Sequence, residues 1–407
     1  MHGLHSLPIP GVGDVYFKQQ PFHLTISENL RQHYSFDPTG RFLTGYLNGV
    51  NYRRGLGSNI LRREMTGPST KTRHMLSNDA SESLINDVHT RVAHITSYVE
   101  QHAQHQRDLL PWLETILTWD YPRLCKEHEL FRSIYKPISI LPPDQYQAIV
   151  LQAAEGCSWN KCTFCTLYRD RKFRIKCPTT FRLHIQQIKD FLGPAIGLRK
   201  SIFLGDGNAL IIPQQRLIEL LRIVQEEFPI GSSKADENYK LKGVYSFLDI
   251  FGAERKTVDE YRELREYGVK RIYVGLETGD DELFALLNKP GSPEACTEVV
   301  QTIKQAGIDV GVILLAGAGG DRFAAQHMAH SIQQISAMDL GRGDLVYVSP
   351  LVLSGNEEYI QQMQDMNSRS LDEQEIREQV AQLKEGLRHG CGYGPKVSLY
   401  HIEEFIY

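Results

Sequence analysis

The sequence predicts an α/β protein: a partial (β/α)6 barrel with an N-terminal α+β extension and a C-terminal helical tail. Three observations lead to this prediction. Six short β-rich segments alternate with helical patterns between residues 141 and 350, and parallel strands need crossover connections, which are usually helices. Three prolines within residues 137–143 mark a boundary before this region. The 407 residues also exceed the length, about 250–300 residues, at which a single core usually stops growing.

The predicted strands of the barrel, from about residue 141 to 350, cover residues 146–152, 201–204, 243–248, 271–276, 309–315 and 344–348. Helical periodicity predicts helices at residues 179–191, 214–227, 257–267, 293–305 and 323–338. A last helix at 372–388 and a glycine-rich tail make up the C-terminal segment, residues 351–407. Because catalytic residues of such barrels lie at the carboxyl ends of the strands, we expect the functional site there.

Residues 1–140 form the predicted extension, with strand-like pieces at 15–17 and 41–43. Apolar residues recur at helical spacing between residues 80 and 117, at Leu84, Ile85, Val88, Val92, Ile95 and Val99. The rest is so rich in turns that we expect little core of its own. We therefore expect this region to dock on the barrel as a lid, where Arg53, Arg54, Arg62 and Arg63 would hold an anionic substrate if they are not simply a solvated basic loop.

Composition excludes several classes of protein. Hydrophobic residues make up 41% and charged residues 23% of the chain, which is typical of a globular protein. The net charge of −4 gives no general reason to bind nucleic acid. The longest apolar runs are shorter than the roughly 20 residues of a membrane helix, and residues 1–10 lack a signal-peptide pattern. We expect a soluble, cytoplasmic protein with no membrane partner.

Three cysteines, Cys157, Cys162 and Cys165, follow the first predicted strand of the barrel. Thiolates are soft ligands that hold iron-sulfur clusters and zinc, so the loop predicts a metal centre, with a chance cluster of core cysteines as the alternative. A structural zinc site has four ligands, whereas three cysteines on a four-iron cluster leave one iron free. The other cysteines are scattered, and we expect none of them to be a ligand: Cys125, Cys177, Cys296 and Cys391.

Two further motifs end predicted strands: Gly205-Asp206-Gly207-Asn208 and the segment from Val274 to Gly279, which contains Glu277. Together with the cysteine loop they resemble the radical S-adenosylmethionine (radical SAM) superfamily, and are most similar to the branch with oxygen-independent coproporphyrinogen oxidase and the Elongator-type enzymes. One departure is the C-x4-C-x2-C spacing, since three residues usually separate the first two cysteines. Phe164 keeps the aromatic residue before the last cysteine.

The resemblance implies an enzyme with a four-iron, four-sulfur cluster on the three cysteines and S-adenosylmethionine bound to the fourth iron. A 5′-deoxyadenosyl radical would then abstract hydrogen from a small-molecule substrate, with an electron donor such as flavodoxin or ferredoxin. The implied cofactor-binding residues are Phe164, Gly205, Asp206, Gly207, Asn208, Ser246, Glu277 and Gly317. Asp206 would bind the methionine amine, or else close an ordinary Asp-Gly turn. Glu277 would bind ribose hydroxyls, or else pair with a neighbouring Arg or Lys.

Two other classes of protein remain open at this stage: an iron-sulfur redox sensor or structural protein, and a zinc-stabilised nucleic-acid-binding module. The charged run at residues 169–176 predicts a solvated face, with an anion site as the alternative. No auxiliary-cluster cysteines or cobalamin-binding motif follow the barrel. The sequence identifies neither the substrate nor the catalytic residues, and leaves open whether S-adenosylmethionine is regenerated.

Overall fold

The computed structural model describes residues 4–65, 71–231, 239–249, 255–391, 394–400 and 405–407. Their contacts divide them into two compact units. The described residues within Met1–Pro137, Gln186–Arg199 and Glu403–Tyr407 form the first unit, and those within Ile138–Ile185 and Lys200–Ile402 form the second. In the described parts of the chain, no helix combines the length and the apolar character needed to cross a membrane.

The first unit contains an eight-stranded antiparallel sheet in which each strand pairs with the next along the chain. Its strands are β1 (Leu4–Ile9), β2 (Gly13–Gln20), β3 (His23–Glu28), β4 (Gln32–Phe36), β5 (Phe42–Leu47), β6 (Val50–Arg54), β7 (Ile60–Met65) and β8 (Lys71–Met75). Tight turns explain this order. Asn48 and Gly49 join β5 to β6 with φ angles of 52° and 82°, the backbone that a two-residue type I′ hairpin requires.

Three helices follow the sheet: α1 (Asn78–His102), α2 (Leu110–Leu117) and α3 (Tyr121–Ile134). The predicted helix over residues 80–117 is therefore interrupted, because the chain leaves helical geometry at Ala103 and again at Gln106 before α2 begins with Pro111 in its first turn. α3 was not predicted. Asp120 caps it by accepting a hydrogen bond from the backbone N–H of Arg123.

The apolar stripe of α1 packs into a cluster with one face of the sheet, whose inward residues include Val15, Phe17, Leu24 and Ile26. The expectation that this region has little core of its own is wrong. Its turn-rich composition reflects hairpins joining short strands, whose alternating apolar residues bury one face. That residues 1–140 serve as a lid for the barrel stays a prediction.

The second unit is built on seven parallel strands in the order β17-β16-β15-β14-β13-β12-β9. These are β9 (Ala148–Gln152), β12 (Ser201–Gly205), β13 (Val244–Leu248), β14 (Val269–Glu277), β15 (Asp309–Ala316), β16 (Leu345–Pro350) and β17 (Lys396–Leu399). The six predicted strands are all present, which confirms the fold class. The glycine-rich tail adds β17, which the sequence did not predict. Two short strands, β10 (Ala154–Glu155) and β11 (Arg174–Ile175), pair with each other.

Helices connect and follow these strands: α4 (Pro178–Leu192), α5 (Gln214–Glu227), α6 (Val258–Glu266), α7 (Asp281–Leu286), α8 (Pro293–Gln305), α9 (Gly320–Ala337), α10 (Glu357–Asp365) and α11 (Glu373–Cys391). Polar caps fix several of their starts. Thr257 and Glu260 form a capping box at α6, and the Ser292 hydroxyl accepts a hydrogen bond from Ala295 at α8. The Ser292 cap explains why α8 begins where the sequence predicted.

A buried ionic network ties α3 to the sheet of the first unit. The Glu127 carboxylate lies 3.4 Å from the guanidinium of Arg54 and also contacts Arg41. Arg54 donates through Nε to the carbonyl of Phe42 at 2.6 Å. Burial raises the pKa of Glu127, and the two arginines oppose that shift. Asp37 lies 3.6 Å from Arg41 and is the second carboxylate of the network, so removing Glu127 would leave two buried arginines with one carboxylate.

We predict that Glu127→Ala lowers the free energy of unfolding of the first unit by about 3–5 kcal/mol, since Arg41 and Arg54 would lose their shared carboxylate. Urea denaturation of the whole chain, followed by tryptophan fluorescence, measures this, because Trp112 and Trp119 lie in that unit. Glu129→Ala, at an exposed site two residues along α3, is the control. Equal stability of the two variants would contradict the prediction.

Candidate functional site

A cavity of about 280 Å³ lies at the carboxyl ends of the parallel strands in the second unit. Its walls come from the cysteine loop after β9 and from the ends of β13, β14 and β16. Six predicted site residues line it: Cys157, Cys162, Phe164, Cys165, Gly207 and Glu277. The structure therefore brings these six residues together, and their roles as metal- or cofactor-binding residues stay predictions.

The cysteine loop is anchored at both ends and in the middle. Its ends pair as β10 and β11, and Lys176 donates to Glu155 at 2.7 Å across that pair. Its middle is bound to the end of α7, where the Thr163 hydroxyl donates to the carbonyl of Leu286 at 3.1 Å. The Trp159 indole donates to the carbonyl of Asn288 at 2.8 Å. A loop held this way presents its three thiols on a fixed backbone.

Burial raises the pKa of all three thiols, with Cys165 reaching about 11. Buried thiols stay protonated unless a nearby cation stabilises the thiolate, and iron or zinc supplies such a charge. Within the described ranges, no three His, Cys, Asp or Glu side chains converge as the ligands of a single metal ion do. In a four-iron cluster each cysteine binds a different iron, so three thiols around a shared cavity fit that group.

The other described cysteines do not line this cavity. Cys125 and Cys177 are exposed, and Cys296 is buried in α8. The side chain of Cys391 lies outside the described residues. The assignment of Cys157, Cys162 and Cys165 as ligands stays a prediction.

Asp206 lies directly after β12, but its side chain is directed at the cysteine loop and does not line the cavity. One carboxylate oxygen accepts a hydrogen bond from the Gln152 side chain at 2.9 Å. The other accepts from the backbone N–H of Gly156 at 3.1 Å and lies 3.4 Å from Arg171. Burial raises the pKa of Asp206. The carboxylate thus connects the end of β9, the residue before Cys157 and the far side of the loop.

Arg171 belongs to the charged run that the sequence predicted as a solvated face. Its side chain is only 8% exposed because it packs toward Asp206, so this member of the run is part of the loop's structure. Arg169 lies 3.7 Å from Glu358 at the surface. The prediction of a solvated face is therefore wrong for Arg171.

The remaining predicted residues are close to the cavity without lining it. The Ser246 hydroxyl donates to the carbonyl of Leu204 at 2.8 Å, and the backbone N–H of Gly317 donates to Gln379 at 2.6 Å. Gly205 is the last residue of β12. Asn208 is fully buried and accepts a hydrogen bond from the N–H of Asp249, while its amide nitrogen has no hydrogen-bond partner among the described residues.

Two charged residues that sequence reasoning missed lie beside Glu277. The ammonium of Lys289, which is 1% exposed, lies 3.4 Å from Glu277 and contacts the Asp249 carboxylate. Burial raises the pKa of Glu277 to about 7, although Lys289 opposes that shift. Glu277 thus pairs with a lysine and also lines the cavity. Lys289 is a single lysine in a turn and belongs to no motif, so nothing in the sequence indicated its position. Only the folded structure shows that it lies beside Glu277 and Asp249.

A hydrogen bond to His327 of α9 fixes the segment that carries Glu277. Glu277 has a positive φ of 63°, which is unusual for a residue other than glycine. The next residue, Thr278, has its hydroxyl 2.8 Å from Nδ1 of His327, whose Nε2 lies 3.0 Å from the carbonyl oxygen of Leu315. Burial lowers the pKa of His327 to about 4, so this histidine is neutral and donates from Nε2. The strained turn at Glu277 is thereby fixed by a buried network.

Comparison with known proteins agrees with this arrangement. Residues 151–329 match the family model described as the radical SAM superfamily. A curated relative, 4′-phospho-dehydrooxetanocin synthase from Priestia megaterium, is 25% identical over 174 residues. That match covers 40% of this chain and 22% of the relative, so the chain matches about a fifth of the relative's length.

Similar solved structures include coproporphyrinogen III oxidase HemN from Escherichia coli, at a TM-score of 0.40 and 15% identity over 64% of this chain and 56% of the other. Elp3 of the archaeon Methanocaldococcus infernus has a TM-score of 0.38 and 13% identity over 55% of this chain and 54% of the other.

We predict that Cys157→Ala, Cys162→Ala and Cys165→Ala each abolish iron loading and the broad visible absorbance of the anaerobically purified protein, because each removes one thiolate ligand. Iron and sulfide content and the visible spectrum are the measurements. Cys125→Ala and Cys177→Ala, at exposed sites, are the controls and should retain the full metal content. Retention of the cluster in any one of the first three variants would refute that cysteine's assignment.

Proposed function

Because residues 151–329 form a domain of the radical SAM superfamily, we propose that this protein is an enzyme that cleaves S-adenosylmethionine reductively and abstracts hydrogen from a small-molecule substrate. The match confirms the superfamily that the motifs resembled. Its members are enzymes that use a four-iron, four-sulfur cluster and S-adenosylmethionine. The observation that carries the proposal is that the three cysteine thiols line one cavity together with Glu277.

Cys157, Cys162 and Cys165 would hold the cluster, and one iron would remain for S-adenosylmethionine. When bound, the cluster would supply the electron for reductive cleavage of the sulfonium, and the 5′-deoxyadenosyl group released would abstract a hydrogen atom from the substrate. The protein's own contribution is to position these groups and to exclude water.

Glu277 and Lys289 provide polar groups of opposite charge at the cavity wall. We assign Glu277 to the ribose hydroxyls, since a carboxylate accepts hydrogen bonds from both. Lys289 supplies a buried positive charge near Cys162 and would attract the carboxylate of S-adenosylmethionine. Asp249 keeps that ammonium charged in a site where burial alone would lower its pKa.

Asp206 would act as a positioning residue. Its carboxylate accepts the N–H of Gly156, the residue before Cys157, so it sets the backbone from which the first thiol projects. This role is compatible with the proposed contribution of the Gly205–Asn208 motif to cofactor binding, because Gly207 itself lines the cavity. A Cβ at Gly207 would come within 2.7 Å of the Tyr168 ring, so only glycine fits against that wall.

Apolar and aromatic side chains form the rest of the cavity wall, among them Phe164, Phe247, Tyr273, Ile313 and Leu315. Such a lining keeps water away from a reactive intermediate and strengthens the few polar contacts inside. It also favours a substrate that presents an apolar face to the site.

We predict that the reconstituted and reduced protein converts S-adenosylmethionine to 5′-deoxyadenosine, slowly even without a substrate. Chromatography of the anaerobic reaction detects the product, and Cys165→Ala, which should lack the cluster, gives none. A protein that carries a full cluster, binds no S-adenosylmethionine and forms no 5′-deoxyadenosine would instead be an iron-sulfur sensor or structural protein. Purification as a colourless zinc protein would exclude both functions.

We predict that Glu277→Gln weakens the binding of S-adenosylmethionine by about 1.5–3 kcal/mol, the usual contribution of a hydrogen bond to a charged group, while the iron content stays unchanged. Anaerobic titration calorimetry on the reconstituted protein measures the affinity. Glu282→Gln, at an exposed site on α7, is the matched control. Unchanged affinity would mean that Glu277 serves only as the partner of Lys289.

A further inference from the structure

Three tyrosines line the cavity that the cysteine thiols share: Tyr168, Tyr273 and Tyr400. Two of their hydroxyls are bound to protein. Tyr273 donates to the Asp144 carboxylate at 2.6 Å, and Tyr400 donates to the carbonyl of Leu141 at 2.7 Å. The Tyr168 hydroxyl makes no hydrogen bond within the described ranges of the chain and is not completely enclosed by protein. Its O–H group can therefore meet a molecule in the cavity.

The ring of Tyr168 is held in one position by its neighbours. It lies so close to Gly207 that a Cβ there would come within 2.7 Å of it. The guanidinium carbon of Arg171 lies 5.6 Å from the ring centroid, and the Asn160 side chain donates to the carbonyl of Tyr168 at 2.9 Å. The residue is only 7% exposed. The hydroxyl therefore keeps a fixed place in the cavity wall.

This hydroxyl also lies near two of the proposed cluster ligands. Burial raises the pKa of Tyr168, and the nearby charges of Asp206, Cys165 and Cys157 raise it further. Such effects of charge fall off with distance, so they indicate a phenol close to the cysteine loop. Burial also keeps the phenol protonated, so that it has a hydrogen to give.

The chemistry of a phenol suits it to react with a carbon radical. Its O–H bond breaks readily into atoms, because the unpaired electron left on oxygen spreads over the aromatic ring. A primary carbon radical forms a stronger C–H bond in return, so the transfer of the hydrogen atom is favourable. The hydroxyls of Ser349 and Ser354, which also line the cavity, have no ring to stabilise an unpaired electron.

We propose that Tyr168 is a catalytic residue that gives a hydrogen atom to the 5′-deoxyadenosyl radical when the cavity holds no substrate. The O–H bond breaks, a C5′–H bond forms, and the unpaired electron passes to the phenoxyl ring, so no proton is left over. One electron from the donor that drives the reductive cleavage and one proton from water then restore the phenol. This inference rests on the proposed function and identifies the source of the hydrogen in 5′-deoxyadenosine formed without substrate.

The experiment measures the isotope content of the 5′-deoxyadenosine that the reconstituted full chain forms in D₂O, with dithionite as reductant and without substrate or thiol reagents. A phenol exchanges its hydrogen with the solvent, whereas C–H groups do not. Mass spectrometry should therefore find a single deuterium in the product of the original chain. Tyr168→Phe keeps the ring beside Gly207 and should retain its iron, but its product should fall to the natural-abundance level of deuterium.

Tyr273→Phe and Tyr400→Phe are the matched controls, since they remove hydroxyls of the same cavity that are bound elsewhere. Whatever their rates, their product should carry the label. Unlabelled product from the original chain would overturn the proposal, and so would labelled product from Tyr168→Phe. Failure of the original chain to form any 5′-deoxyadenosine would overturn the proposed function, and this proposal with it.

A second measurement needs no variant of Tyr168. The cluster of the original chain is reduced first, the excess reductant is removed, and S-adenosylmethionine is then added. Because no further electron is supplied, the phenoxyl radical should persist. Its electron paramagnetic resonance signal should narrow when the chain carries ring-deuterated tyrosine. Formation of 5′-deoxyadenosine without a signal that depends on this labelling would overturn the role of Tyr168 but not the proposed function.

Discussion

The carboxylate of Asp206 is the constraint on which the site depends. It binds Gln152 at the end of β9, the N–H of Gly156 before the first cysteine and the guanidinium of Arg171 beyond the last one. A short loop cannot hold three buried thiols around a shared volume by its own conformational preferences, because ordering each residue costs about 1–2 kcal/mol. The ends of β9 and β12 have fixed positions in the sheet. The hydrogen bonds of the Asp206 carboxylate hold the loop in place relative to those strand ends. The bulk of the parallel sheet therefore serves to keep a few backbone groups in place.

Burial of the groups around the cavity also determines their pKa values. Desolvation raises the pKa of the thiols and of Glu277, so an isolated site would favour neutral groups. Lys289 opposes this rise at Glu277 and Cys162, whereas the negative charge of Asp249, its partner in an ion pair at the wall, adds to it. Buried pairs rarely add much stability, since the cost of desolvation offsets their attraction. A buried lysine between two carboxylates is therefore better explained by what it offers a ligand than by its contribution to folding.

The sequence predicted what depends on local pattern and missed what depends on distant contacts. The six parallel strands and the bounds of α5 and α8 follow from periodicity and from caps such as Ser292. β17 is only four residues long and joins β16 after two intervening helices, so no local signal marks it. Of the N-terminal strands, the sequence indicated only pieces of β2 and β5, at 15–17 and 41–43, because turn residues dominate the pattern between the strands. Phe164 and Glu277 line the cavity, and their roles in cofactor binding stay predictions, whereas Lys289 and Asp249 meet Glu277 only through the fold.

The two sheets of this chain present different kinds of surface, and the reason is their strand direction. A parallel sheet gathers all its carboxyl ends at one edge and is covered on its faces, so its cavity is largely apolar and suited to radical chemistry. An antiparallel sheet of hairpins buries one face and leaves the other polar. Its exposed face places Arg53 and Tyr46 on different strands, at a separation fixed by the strand spacing. The parallel sheet therefore encloses its site among apolar side chains, whereas the antiparallel sheet presents polar and charged side chains on an open face.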